Sequence, residues 1–531
     1  MALLIREIKL GLDEDEAELA ARVADIFGLL EQDIEALKVI RRGIDARKKS
    51  EIKRVYTVTF EVANESELLA EFGSDHRISR YEKPVVPELQ RVDGNCHALV
   101  VGSGPSGLFA ALRLVRQGLR VTLIERGEPV EERSRKVEQF WRSGKFDPRS
   151  NVQFGEGGAG TFSDGKLTTR VSSPWCRFVL QTFVDFGAPP EILAEAKPHL
   201  GTDVLRQVLL NFRKNLIAAG VDFRFETQLT GLLTHAGRVQ GGIVNETDEF
   251  KADVVVLAPG HSARDTYAML EQAGVLLEQK PFAIGLRVEH PAELINSIQY
   301  GMVGHKNLPT ADYALSYNDA ESGRGVYSFC MCPGGEIISA PSESGGMVVN
   351  GMSYRSRNQE FSNSALVVSV GPDDFAGRDA LAGVRFQRQW EAAAFAAGGG
   401  QYLAPAQNLL GFLGTGTGPL RSSCRSGVHE AELSRTLPVE VVSALRRALP
   451  YFDRKLKGFV TGDAVLVGIE SRTSAPLRIV RNTAGESESH PGLYPAGEGA
   501  GYAGGIMSAA LDGLKSADRI CQNIKDGVVS E

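Results

Sequence analysis

The 531-residue chain has no CxxC pair, no internal repeat, no excess of positive charge, and no apolar run near the eighteen or so residues that span a bilayer. Each absence removes a class. Six cysteines, scattered as Cys96, Cys176, Cys330, Cys332, Cys424 and Cys521, form neither a disulfide framework nor a zinc site, and no metal is expected. The one close pair, in FCMCPGG, reads either as a redox-active disulfide or as two thiols beside a turn. The N-terminal MALLIREIKLGLDEDE turns acidic after a short apolar patch, unlike a secretory leader, so the expected compartment is the cytoplasm, with no membrane span. A net charge of -7 argues against nucleic acid as a partner. What remains is ordinary for folded protein: 43% hydrophobic and 24% charged residues, in a length that needs about two to four domains.

The first unit is expected over residues 1–82. LLIREIKL alternates as a strand, and DEDEAELAARVADIFGL carries Leu19, Val23, Ile26 and Phe27 at helical spacing. RVYTVTFEV alternates again, which fits a small βαβ(αβ) domain of ferredoxin-like type. Lys48, Lys49, Lys53 and Arg54 make a basic run that reads as a solvated loop or as a docking surface for RNA or an acidic partner. Two prolines in EKPVVPELQRVDGN mark a linker over 83–95. Further on, TDVLRQVLLNFRKNLIAAG is an amphipathic helix with Thr202 as the expected N-cap. GLLTHAGRVQGGIVNETDEF reads as antiparallel strands, and ADVVVLAPG as a strand buried in a parallel sheet.

The most informative segment is HALVVGSGPSGLFAALRLVRQGLRVTLIERG. A strand runs into Gly102-x-Gly104-x-x-Gly107, then a helix, then a second strand that ends in Glu125. Gly102 permits the tight turn, Gly104 lets a pyrophosphate approach the backbone, and Gly107 lets helix and strand pack closely. Ser103, Pro105 and Ser106 complete the turn, whose helix N-terminus offers free N–H groups to phosphate. Glu125 suits the hydroxyls of an adenosine ribose and disfavours a 2′-phosphate; Arg126 follows it.

Two later segments carry a resemblance. VVVLAPGHSARDT, with Ala258 and Gly260, resembles the strand-then-ATG segment of two-dinucleotide-fold flavoproteins. GLYPAGEGAGYAGGIMSAALDGL resembles their C-terminal FAD segment, where Gly497-Glu498 meets the ribitol and a helix starting at Gly504, Gly505 and Ile506 points at the flavin. With VQFGEGGAGTFSDGKL and CMCPGGE, the chain resembles FAD-dependent oxidoreductases of the glutathione-reductase-like fold with one dinucleotide fingerprint. Within these it looks most like a poorly characterised bacterial and plastid group of FAD-dependent dehydrogenases. The resemblance implies FAD, an α/β Rossmann-like FAD domain over 96–265 and 457–531, and an inserted mixed α+β substrate domain over 266–456. It also implies that NVQFGEGGAGTFSDGKL passes the pyrophosphate and the flavin, with Gly157, Gly158, Gly160 and Thr161 as contacts.

The resemblance carries no substrate. Disulfide reductases have a CxxC after the first dinucleotide helix and a second GxGxxG; both are missing here. Hydride transfer through flavin N5 to or from a small organic molecule is the expected activity, with room for a nicotinamide cofactor that binds transiently. Two rivals stand beside it: an isoprenoid or polyene reductase like the geranylgeranyl reductases, and a non-catalytic flavin-bound module for RNA or protein. No catalytic residue is assigned. His261 reads as an acid–base group or a loop histidine, Lys166 and Arg170 as anion ligands or surface cations, and Arg472 as a carboxylate or phosphate clamp. Arg478 and Arg481 flank that clamp.

Overall fold

Leu3, Leu4, Ile5, Ile8 and Leu10 are all buried in the first strand, Leu3–Gly11, although they do not alternate strictly. A bulge between Ile5 and Ile8, with Glu7 in the left-handed region at φ 62°, resets the face and keeps both ends of the run in the core. This is a feature of a computed structural model that describes residues 2–89, 91–92 and 96–527. The strands Leu3–Gly11, Glu35–Asp45, Lys53–Glu61 and Ile78–Arg80 form one antiparallel sheet in the order second, third, first, fourth. Helices Glu18–Phe27 and Glu65–Phe72 complete a βαββαβ unit, the ferredoxin-like topology. Phe27 packs edge-on to Phe72 at 5.1 Å and tilts on Phe60 at 5.3 Å, which locks both helices to the sheet.

Part of the basic run is tied down locally. Lys48 and Lys53 both reach Glu51, at 2.8 and 3.6 Å, and Arg54 donates to the carbonyls of Gly11 and Glu14. The linker expected over 83–95 has no regular structure where it is described; Gln90 and residues 93–95 of it lie outside the described residues.

Past the linker, five parallel strands stand in the order Leu493–Pro495, Val254–Leu257, His97–Val101, Arg120–Ile124, Asp222–Arg224. Side chains alternate across this sheet. Ala98 and Val100 face helices Pro105–Arg116, Gly201–Ala218 and Ile506–Lys525, while Leu99 and Val101 face a three-stranded antiparallel meander spanning Leu229–Lys251. Each fully buried aliphatic chain here contributes roughly 1.5–3 kcal/mol. The helix Gly201–Ala218 starts one residue before Thr202, which is no cap: its hydroxyl donates to the Thr161 carbonyl at 2.6 Å, inside the first turn.

The inserted region is built on seven strands, in the order Ser316–Asn318, Gly325–Cys332, Phe361–Val370, Phe282–Pro291, Val465–Glu470, Ala404–Asn408, Val428–Glu430. Val465–Glu470 was expected with the second FAD segment, on the other side of a boundary at 456/457. It pairs instead with Phe282–Pro291 and Ala404–Asn408, because VLVGIE is apolar enough to sit buried between two strands. The mixed sheet thus closes over the C-terminal strand ends of the parallel sheet, and a cleft runs between them.

Candidate functional site

The cleft spans about 1510 Å³, open solvent at its mouth included. One wall is the fingerprint turn. At Gly102, φ is 97° and a Cβ would fall 2.3 Å from the Ala258 carbonyl oxygen; at Gly107 it would fall 1.8 Å from that of Gly102. Those two glycines are needed for packing. Gly104 differs: its backbone is ordinary, at φ -71°, and an added Cβ meets nothing within 4 Å. The space there belongs to the cleft. Pro105 opens the helix, leaving its first N–H groups unclaimed by a side-chain cap among the described residues. Beside them the buried Ser106 hydroxyl, also on the cleft wall, has no partner among the described residues.

Glu125 lines the cleft, but its carboxylate is already engaged. One oxygen accepts from the Ser103 N–H and hydroxyl at 2.9 and 2.7 Å, and the other accepts from the N–H groups of Gly127 and Gly155 at 3.0 Å each. The acid therefore ties the fingerprint turn to the glycine-rich loop. Arg126 also faces the cleft; it is bidentate to Asp265 at 2.9 and 3.0 Å and lies 4.3 Å over the Phe154 ring.

The glycine-rich loop is ordered by one buried side chain. Arg133, on the helix Val130–Ser143, donates to the carbonyls of Asn151, Val152, Gly155, Glu156 and Gly158 and to the Thr161 hydroxyl. A guanidinium suits this because its five N–H groups diverge in one plane, and the nearby Glu125 and Glu156 charges offset part of the cost of burying it. So held, the loop presents Gly155, Gly158, Ala159 and Gly160 to the cleft, and the Cβ position of Gly158 lies 3.3 Å from the Gly104 Cα. Gly157 and Thr161 do not line the cleft as expected. A Cβ on Gly157 would strike Leu209, and Thr161 turns inward to Arg133 and the Glu156 carbonyl. Ser103, Gly107 and Gly497 likewise sit behind the wall; Gly497 packs on Ser106 and donates to Asp512 at 2.7 Å.

Ala258, Gly260, Glu498, Gly504, Gly505 and Ile506 all line the cleft. An added Cβ at Gly260, Gly504 or Gly505 also meets nothing within 4 Å, so bare backbone faces the opening from three sides. Burial pushes the Glu498 carboxyl up to about 7, against a hydrogen bond from the Gly505 backbone and the Lys280 charge.

Across from the fingerprint lie Lys166, Phe329, Cys330, Asn350, Glu470 and Thr473. Lys166 donates to the Met331 carbonyl and pairs with Asp164 at 3.2 Å. Burial works to raise Asp164, yet Lys166, Arg357 and the Ser353 hydroxyl outweigh it and keep the group ionised. Arg170 is exposed and takes no part. His261 faces the cleft, but burial and the nearby Arg472 and Arg264 charges pull it down to about 3, so it is a neutral imidazole, bonded to the Ser262 hydroxyl at 2.8 Å. Arg472 is no free clamp. It is bidentate to Glu391 at 3.1 and 2.8 Å and donates to Ser262 and Ser342, in a buried cluster with Arg264. Arg478 pairs with Glu278 and Arg481 with Asp512, so neither reaches the cleft.

The motifs hid several of these groups. Arg133 sits among Arg135, Lys136 and Arg142 on one amphipathic helix and carries no mark that separates it from surface charge. Arg287 and Glu470, 3.0 Å apart, lie far apart in sequence on adjacent strands.

An open cradle of bare backbone, an uncapped helix start and an unpartnered Ser106 hydroxyl fit the diphosphate of a dinucleotide. Residues 281–473 match a family model described as FAD-dependent protein, C-terminal domain-like. Residues 100–130 match an NAD(P)-binding Rossmann-like domain, and residues 3–61 a domain of unknown function. An uncharacterized protein of Clostridium beijerinckii is 45% identical over 98% of this chain and 99% of its own. Among solved structures, a geranylgeranyl bacteriochlorophyll reductase-like protein of Thermoplasma acidophilum aligns at 14% identity over 82% of this chain and 81% of its own, with a TM-score of 0.36. A 2-methyl-3-hydroxypyridine-5-carboxylic acid oxygenase aligns at 13% identity over 82% and 84%, with a TM-score of 0.33.

Proposed function

We propose, from the premise that this chain belongs to a family of FAD-dependent proteins shared with the Clostridium beijerinckii protein, that it is an oxidoreductase working on a small organic substrate in this cleft. Its motifs resemble those of the bacterial and plastid FAD-dependent dehydrogenases of the glutathione-reductase-like fold. The observation that carries the reading is the two-sided cleft, with a phosphate cradle on one wall and ionisable side chains on the other.

When bound, FAD supplies two-electron hydride chemistry at its ring. The chain's own part is holding and positioning. Gly104, Pro105, Ser106, Gly158 and Gly160 would hold the diphosphate with backbone and the free Ser106 hydroxyl. Glu125 and Arg126 border the space for the adenosine, and Ala258, Gly260, Glu498, Gly504, Gly505 and Ile506 border the rest. Ser103, Gly107, Gly157, Thr161 and Gly497 act from behind, by keeping the turns in shape. Glu498, titrating near 7, suits the holding and release of a proton at its carboxyl. Lys166, fixed by Asp164, brings an ion pair to the far wall.

The Lys166–Asp164 pair on the far wall is the feature that disfavours the isoprenoid reading, which asks for an apolar tunnel.

The test is anaerobic mixing of the FAD-loaded protein with NADH, with NADPH, and with a fraction of small metabolites, followed by flavin absorbance. Bleaching in any arm supports electron transfer and names the class of donor. A flavin that dithionite bleaches but no arm does would leave a binding module.

A further inference from the structure

Two cysteines stand where the mixed sheet meets the cleft. The strand Gly325–Cys332 pairs regularly with Phe361–Val370 up to Phe329, then slips register before Cys332. Cys330 falls in the gap with φ at 43°, a conformation rare for a residue with a side chain. The bulge sends Cys330 to the cleft wall, half-buried, and leaves Cys332 buried behind it. The Cys332 thiol donates to the Cys330 carbonyl at 3.4 Å.

Two cations converge on the pair. Lys166 binds the carbonyl of the intervening Met331, and Arg287 reaches the Cys330 carbonyl at 3.3 Å and the Cys332 sulfur at 3.9 Å. Gly351 leaves the room for this: its Cβ would lie 2.1 Å from Arg287 Nη1 and 2.6 Å from Cys332 Sγ. Two residues of extended chain span at most about 7 Å, and a disulfide needs a Cα separation of roughly 4.4–6.8 Å.

We propose, resting on the reading that FAD fills the cleft, that Cys330 and Cys332 are a redox-active dithiol that exchanges one electron pair with the flavin. In the oxidising direction two S–H bonds break and one S–S bond forms. The electron pair and one proton pass to oxidised FAD, and the second proton leaves through the cleft. The reverse step opens the disulfide at the expense of reduced FAD.

The six thiols are not equivalent. A hydrogen bond from Cys332, helped by Lys166 and Arg287, drives Cys330 down toward the thiolate, the reactive form. Burial drives Cys96, Cys176, Cys424 and Cys521 up instead. Cys332 is also held up, by its bond to Cys330 and by burial, as suits the proton-bearing member of the pair.

The test uses the full-length, FAD-loaded protein. Anaerobic dithionite titration should consume two electron pairs per flavin in the wild type and one in Cys330→Ser or Cys332→Ser. Alkylation and peptide mass mapping of the oxidised wild type should find the Cys330–Cys332 peptide unalkylated and lighter by two hydrogens, and alkylated at both sulfurs after reduction. If the oxidised wild type takes one electron pair and alkylates at both positions, the proposal is overturned, even if neither variant folds. A disulfide that forms while the flavin still takes one pair overturns it too. Failure of the purified chain to hold FAD would instead strike the cofactor reading, and the mass map would still report whether the sulfurs join.

Discussion

At the residue scale the site depends on side chains that never touch its contents. Removing the Arg133 guanidinium orphans up to five buried carbonyls, at about 1–3 kcal/mol for each one that water cannot reach. Arg133→Lys keeps the charge but not the fork, so it should melt well below the wild type and lose FAD on gel filtration; wild-type retention would show that the loop holds itself. Glu498 gives a pH signature. Its folded value near 7 exceeds the ordinary 4.5, so the folded state keeps a proton that the unfolded chain has lost. The contribution of Glu498 to stability is therefore fullest below about pH 4.5, falls as pH rises to about 7 and stays lower above, by something on the order of 3 kcal/mol. Flavin-free Glu498→Gln should lose that slope relative to the wild type and be the more stable of the two above pH 7. Parallel pH–melting curves would contradict it. Such residues were only partly legible. Glu498 stands in a motif, whereas Arg133 acts through carbonyls, which leave no trace in side-chain identity.

At the scale of elements, the fingerprint helix and the C-terminal helix are wedged together. A Cβ on Gly513 would lie 2.1 Å from the Ser106 carbonyl oxygen. Gly513→Ala should therefore push Ser106 toward the cleft, weakening FAD binding and lowering the melting temperature together; a loss of neither would show that the helices have slack. The parallel strands, the meander and both helices were readable because their periods are clean and glycines punctuate them. The mixed sheet was not. Its central strand Phe282–Pro291 is buried end to end while carrying Arg287, Glu289 and His290, and its neighbour buries Ser362, Asn363 and Ser364. Polar residues satisfied by internal partners break the apolar pattern that marks a strand. Val465–Glu470 crossed the expected boundary for another reason: VLVGIE is a plain apolar run that does not show which sheet it joins.

For the whole molecule, the first domain and the cleft are separable. No residue between 2 and 89 lines the cleft, yet Ile52 packs into the core of the mixed sheet, and Arg42 exchanges backbone hydrogen bonds with Ala194 and Ala196 at 2.7 and 2.8 Å. A chain starting at residue 83 should melt lower but keep its flavin absorbance through gel filtration. Loss of the flavin would tie the first domain to the site. The central claim, that bare backbone at the fingerprint holds the cofactor, turns on Gly104. An alanine there is free of backbone strain and of clashes within the chain, so the flavin-free melting temperature should not move. FAD affinity, read by fluorescence titration of Gly104→Ala, should fall by at least about tenfold, or ~1.4 kcal/mol. Unchanged affinity would mean that FAD lies elsewhere.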